Sequence, residues 1–149
     1  MHLVFGYGTF ITKQVYKDKE KVRPAYLPDY FRVYRPQDWF PYVLRDDDSH
    51  PEVKSGFWGL LFKVNDEELR NLDIYEGEGR LYRRIKANGL EKNGDEAEFY
   101  IYYPMDSTIR EMNLHQYVSS GDLWRQKIID EHPGIIQDYP QLKRKSFLK

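Results

Sequence analysis

The stretch from Val53 to Val64 sets the first limit on the fold. Val53, Phe57, Trp58, Leu60, Leu61, Phe62 and Val64 make it the strongest strand signal in the chain. It runs without a linker into Asn65, a good helix N-cap, with Glu68 three residues later as in a capping box. Leu69, Leu72 and Glu76 then fall at i, i+3 and i+7, the helical stripe that faces a core. Gly77 stands where a helix places its terminating glycine. A strong strand feeding one well-capped helix is therefore the fixed point around which the rest must pack.

The remaining signals are mostly strands. His2 to Gly6 is short and apolar, and Arg23 to Arg35 reads as a strand with a bend near Pro28-Asp29. Tyr42-Val43-Leu44 is a short strand inside the loop-like stretch Pro36 to Pro51. Leu81 to Glu91 and Ala97 to Tyr103 are two more, joined through Asn93-Gly94, a hairpin signal, and stopped by Pro104. Thr12 to Val22 is polar and weakly helical. Asp122 to His132 predicts a C-terminal helix, ended by Pro133-Gly134. Strands outnumber helices and do not alternate regularly with them, which argues against a Rossmann-type sheet and for an α+β arrangement.

At 149 residues the chain is expected to form one domain, 1–149, with a flexible basic tail over 140–149 around Lys143-Arg144-Lys145. The net charge of -1 supplies no basic field for nucleic acid. No apolar run approaches the roughly 20 residues of a membrane span. The first residues carry no signal-peptide pattern, and the chain has no cysteine. A cytoplasmic protein is the expectation, without disulfides, a thiolate metal site or a cysteine nucleophile.

Two features carry chemistry. Phe5-Gly6-Tyr7-Gly8-Thr9 reads as a strand running into a glycine loop, a device for presenting backbone N–H groups to an anion. It lacks the third glycine of a dinucleotide fingerprint and the Gly-Lys-Ser/Thr of a P-loop. Glu76 is the second. The apolar stripe points it inward, at a helix C-terminus where the dipole disfavours negative charge, and both effects raise a carboxyl pKa toward neutrality. Alternatively it leans out at the last turn, or pairs with Arg83 or Arg84. Asp73 and Glu78 are expected to be solvated.

Other clusters carry less. Asp46-Asp47-Asp48 reads as a solvated loop and does not space its carboxylates as a calcium loop does. His2, His50, His115 and His132 show no metal-ligand spacing. Ser119-Ser120-Gly121-Asp122 reads as a turn and helix cap. The 13 Tyr are first of all core fillers, although a hydroxyl at a cavity wall can orient a polar ligand.

Taken in order, these pieces resemble the γ-glutamylcyclotransferase-like family. Phe5-Gly6-Tyr7-Gly8-Thr9-Phe10 is similar to its Tyr-Gly-Ser/Thr-Leu loop, with Phe10 in place of Leu. Val53 to Val64, with Gly56 and Gly59, is similar to its central strand. Leu72-Asp73-Ile74-Tyr75-Glu76-Gly77, followed by Tyr82-Arg83-Arg84, resembles its Leu-Asp-x-x-Glu-Gly and Tyr-x-Arg segment. Ser120-Gly121-Asp122-Leu123-Trp124 is similar to its late Ser-Gly-Asp-Trp turn, with Leu123 inserted. Trp39-Phe40-Pro41-Tyr42 matches no family motif and is a candidate pocket rim.

The resemblance implies an α+β fold around a small, mixed, partly closed β-barrel with flanking helices. It implies Glu76 as catalytic acid/base, and backbone N–H groups around Tyr7, Gly8, Thr9 and Phe10 as holders of a substrate's anionic end, with Tyr82 and one of Tyr102 or Tyr103 as further pocket residues. The implied partner is a small γ-glutamyl substrate, cyclised to 5-oxoproline with release of an amine or amino acid. The implied chemistry needs no cofactor and no metal. A carboxylate-binding module without turnover, or an amide hydrolase using the same pocket, are the competing readings.

Overall fold

The computed structural model describes residues 1–149 and is built on a closed five-stranded barrel in the order β1 (His2–Gly6), β5 (Phe57–Val64), β2 (Glu20–Leu27), β6 (Tyr82–Glu91), β7 (Glu96–Pro104). Neighbouring strands are antiparallel except where the barrel closes. There β1 meets β7 in parallel at Val4 and Tyr100. The expected partly closed, mixed barrel is thus a fully closed one. A separate two-stranded sheet, β3 (Tyr30–Val33) and β4 (Tyr42–Arg45), packs beside it.

Strand alternation divides the core in two. Phe5, Ala25, Leu27, Leu61, Phe99 and Ile101 form one cluster, in which Phe5 stacks on Phe99 at 5.0 Å. The intervening residues Val4, Trp58, Leu60, Phe62 and Val64 join a larger cluster under the helices. β5 contributes to both and is almost entirely buried, so its sequence reads as a continuous apolar run. Like every strand of the closed barrel it is paired on both sides, here with β1 and β2.

The helices cover the outer cluster. They are α1 (Thr9–Thr12), α2 (Asp66–Glu76), α3 (Asp106–Glu111), α4 (Leu123–Glu131) and α5 (Pro133–Asp138). α2 has the full capping box: the Asn65 side chain accepts from the Glu68 N–H at 2.8 Å, and Glu68 accepts from the Asn65 N–H at 2.9 Å. Caps of this kind stabilise by about 1 kcal/mol. Leu69 and Leu72 are buried, and Gly77 closes the helix in the left-handed conformation at φ 67°.

Several boundaries differ from the sequence expectations. Arg23 to Arg35 is split at Pro28-Asp29, where Asp29 adopts φ 67°, into strands of two different sheets. The strong strand begins at Phe57 rather than Val53, because the residues before it turn through Gly56. The polar stretch after Thr12 holds only a 3-10 turn, Val15–Asp18, before β2 begins at Glu20. Pro133 does end α4, but it also opens α5, since its missing N–H suits the first helical position.

The C-terminal segment corrects the expectation of a flexible basic tail over 140–149. Leu142 is buried, Phe147 stacks on Trp58 at 5.3 Å, and the Trp58 indole N–H donates to the Ser146 carbonyl at 2.9 Å. The basic run Lys143-Arg144-Lys145 lies between two apolar anchors, Leu142 and Phe147, that pack against the fold. The Asp46-Asp47-Asp48 loop is organised locally, with Asp46 and Asp47 accepting from the N–H groups of Asp48 and Ser49. No helix is long and apolar enough to cross a membrane.

Candidate active site

A cavity of about 290 Å³ lies where the glycine loop after β1 faces the C-terminal end of α2. Its inner wall is the loop Tyr7-Gly8-Thr9-Phe10, which the fold fixes from two directions. The Tyr7 hydroxyl donates to the Tyr102 carbonyl on β7 at 2.7 Å. The Tyr7 carbonyl accepts from Arg32 Nη1 on β3 at 2.9 Å. Arg32 is itself buried, and its Nε and Nη2 donate to Asp122 Oδ2 at 2.9 and 2.7 Å. Asp122 Oδ1 accepts from the Arg125 N–H at 3.0 Å and so caps α4. The late Ser-Gly-Asp turn therefore holds the early glycine loop through one buried guanidinium.

Gly8 is required by close approach. A Cβ there would lie 2.7 Å from Pro41 Cδ, inside van der Waals contact. Gly8, Thr9 and Phe10 stand at the N-cap and in the first turn of α1, so their N–H groups have no partner within that helix. The loop thus offers a set of free donors beside the cavity.

Glu76, the last residue of α2, lines the opposite wall. Burial pushes its carboxyl up to about 7. No ion pair neutralises it: Arg84 pairs with Asp73 instead, at 3.1 Å. Tyr82, at the start of β6, completes this wall and stacks on Tyr42 at 6.0 Å. Burial, reinforced by the neighbouring Glu76 charge, pushes the Tyr82 phenol far above its ordinary value. Desolvation, with the nearby Tyr82 and Glu76, does the same to Tyr7. These phenols stay protonated and can donate hydrogen bonds. The arrangement is an acid/base poised near neutral pH, facing free N–H donors across a pocket sized for a small molecule.

The mouth is aromatic. Trp39, Phe40 and Pro41, from the connection between β3 and β4, meet Tyr75 and Leu81 there. Lys13, just after α1, projects into the same mouth with its ammonium 4.2 Å from the centre of the Trp39 ring.

The model of the family described as "Gamma-glutamyl cyclotransferase, AIG2-like" matches residues 4–126. The chain belongs to that family. Solved structures agree in fold. A gamma-glutamyl cyclotransferase matches with TM-score 0.53 and 19% identity over 70% of this chain and 66% of its own. A protein from Arabidopsis thaliana matches with TM-score 0.57 and 20% identity, over 92% and 91% of the two chains. A yeast gamma-glutamyl cyclotransferase specific to glutathione matches with TM-score 0.60 and 13% identity, over 99% and 91%. This chain spans about two thirds of the first of these and most of the other two. No curated protein matches the sequence.

In this gamma-glutamyl cyclotransferase-like chain, Tyr7, Gly8, Thr9, Phe10, Glu76 and Tyr82 come together at one cavity. Tyr102 and Tyr103 do not line it. Tyr102 braces it from behind: its carbonyl takes the Tyr7 hydroxyl, and its own hydroxyl donates to Asp73 Oδ1 at 2.7 Å. Tyr103 points the other way, as strand alternation requires, and accepts from the Arg45 N–H at 2.8 Å. Asp73 corrects a second expectation. It is not solvated but held by Tyr102 and Arg84, one turn before Glu76. The signal was available, since Asp73 is four residues from Leu69 and shares its face. Arg32 had none: a basic residue among apolar strand residues does not announce a partner ninety positions away.

Proposed function

We propose that this protein is a cyclotransferase that converts a γ-glutamyl amide to 5-oxoproline and a free amine, with Glu76 as the acid/base. The observation that carries the reading is a single unpaired carboxyl, raised to about 7, facing the backbone N–H groups at the start of α1 across a small pocket. Family membership supports this reaction class.

The substrate's α-carboxylate docks on the N–H groups of Gly8, Thr9 and Phe10. Its α-ammonium then faces Glu76. Ionised Glu76 takes one proton, and the freed amine attacks the γ-carbonyl carbon of the same molecule. A C–N bond forms, closing the five-membered ring. Glu76 gives that proton to the departing nitrogen, the tetrahedral centre collapses and the original C–N amide bond breaks. Ionised again, Glu76 takes the second proton from the ring nitrogen, leaving the lactam N–H, and passes it to the released amine, which departs as an ammonium. Holding amine and carbonyl together supplies most of the advantage, because the reaction is intramolecular. A pKa near 7 lets one group act in both directions. Tyr82, protonated and beside Glu76, is a donor for the developing oxyanion.

The test is mass-spectrometric detection of 5-oxoproline after incubation with γ-glutamyl amino acids and amines, with Glu76→Gln in parallel. Product that vanishes in the variant is the expected result. Free glutamate in place of 5-oxoproline would identify a hydrolase. Tight binding with neither product would identify a binding module.

A further inference from the structure

The mouth of the cavity carries a charge that the proposed chemistry does not use. Of the residues that line the pocket, Glu76 is one charged group and Lys13 is the other. Glu76 sits at the inner wall and moves the proton. Lys13 sits at the rim and forms no ion pair. Its ammonium lies over the Trp39 ring at 4.2 Å and near the Tyr75 ring at 5.9 Å. Two ring faces thus hold a flexible side chain in place, lowering the entropy lost when it meets an anion.

The rings themselves are unusually open. Trp39 is 57% exposed and Tyr75 is 50% exposed, and Leu81 beside them is the third exposed apolar side chain at this mouth. Large apolar side chains gathered at a pocket entrance leave surface that only a ligand covers. Cation and apolar surface are therefore presented together, immediately outside the reacting centre.

We infer that Lys13, Trp39 and Tyr75 select the leaving group, favouring an amino acid whose free carboxylate meets Lys13 and whose apolar or aromatic side chain covers the two rings. This rests on the cyclotransferase reading of the inner pocket. A γ-glutamyl chain docked on the loop amides points its scissile nitrogen outward. The first groups beyond that nitrogen are then the α-carboxylate and side chain of the leaving residue. Lys13 attracts the carboxylate. It repels a leaving group that carries a second ammonium and no carboxylate there, so diamines are disfavoured. Lys13 is a specificity-determining residue on this account, not a participant in proton transfer.

The experiment compares γ-glutamylphenylalanine with γ-glutamylphenethylamide, which differs only in lacking the leaving-group carboxylate, using wild type and Lys13→Met. For wild type, kcat/KM for the amino acid should exceed that for the amide by about three- to tenfold, through KM. Lys13→Met should remove that preference while circular dichroism stays unchanged. Equal loss for both substrates would place Lys13 at the γ-glutamyl end and overturn the inference, as would a wild type with no preference. If no substrate yields 5-oxoproline, the cyclotransferase reading fails separately. The same comparison is then made by quenching of the exposed Trp39 fluorescence, with Trp39→Phe as blank. Preferential binding of the carboxylate-bearing ligand, lost in Lys13→Met, would still uphold the role of Lys13, and equal binding would overturn it.

Discussion

The two ends of the cavity are built to different standards. At the inner end every element is braced by another: Tyr7 by Tyr102 and Arg32, Arg32 by Asp122, and the last turns of α2 by Asp73 with Tyr102. At the mouth, Trp39 and Tyr75 lie open and Lys13 is held only by ring faces. The braces join five separate parts of the chain, so the inner geometry is a property of the whole fold. The mouth is made of side chains that little else depends on. Changes at the inner end should therefore alter rate and stability together, and changes at the mouth should alter substrate choice alone.

The largest expected effect is on rate. Glu76→Gln keeps the shape and removes the proton carrier, and general acid–base groups contribute about 10²–10⁴-fold. Single-turnover assays on a folded variant check this, and near-normal turnover would remove Glu76 from the chemistry. Next comes Arg32→Met. It leaves Asp122 without its cation and the Tyr7 carbonyl without its donor, a loss of about 2–4 kcal/mol in urea unfolding. Because the loop amides lose their support, KM should rise in the same variant. Arg32→Lys should not restore it, since one ammonium cannot reproduce the fork that reaches both Asp122 and Tyr7.

The same carboxyl separates activity from stability by sign. Its folded pKa of about 7 lies above the unfolded carboxyl value. Between these values the folded state holds the extra proton, so this group's contribution is full below the unfolded pKa and is lost as pH rises through about 7. Activity runs the opposite way: ionised Glu76 is the base, so kcat/KM should climb through about pH 7 to a plateau. At pH 8 Glu76→Gln should be more stable than wild type by about 1–2 kcal/mol after allowance for water in the open cavity, and the difference should shrink toward pH 5. Thermal melts at both pH values measure it. A variant equally stable at both would mean that burial does not act on Glu76.

How much of this was legible follows the same division. The helix from Asp66 to Glu76 and its caps are plain because they are local: one capping box, one period, one terminating glycine. The stripe points Glu76 inward but leaves open a lean toward solvent or a pairing with Arg83 or Arg84. The glycine loop was legible for the same reason. The brace Asp122–Arg32–Tyr7 was not, because its members lie 25 and 90 residues apart and each alone reads as an ordinary polar residue. Asp73 was readable from its spacing to Leu69, but only its partners on β6 and β7 show that it is held. The C-terminal segment is hard to read because its basic run dominates its composition, while the anchors that hold it, Leu142 and Phe147, are only two residues with partners far away in sequence.

The smallest expected effect sharpens the comparison most. Trp39 is more than half exposed, and its ring contacts are Phe40 and the Lys13 ammonium. Trp39→Ala should change unfolding free energy by no more than about 0.5 kcal/mol, as exposed positions do. Phe40, behind it, packs edge-on against Tyr42, which stacks in turn on Tyr82. Phe40→Ala should therefore loosen a wall of the inner pocket and cost roughly 1–3 kcal/mol for a partly buried ring. Two adjacent aromatic residues of one loop would then fall on opposite sides of the boundary, Trp39 with the mouth and Phe40 with the braced interior. Equal losses for the two variants, by urea midpoint, would erase that boundary and make the whole cavity a single cooperative unit.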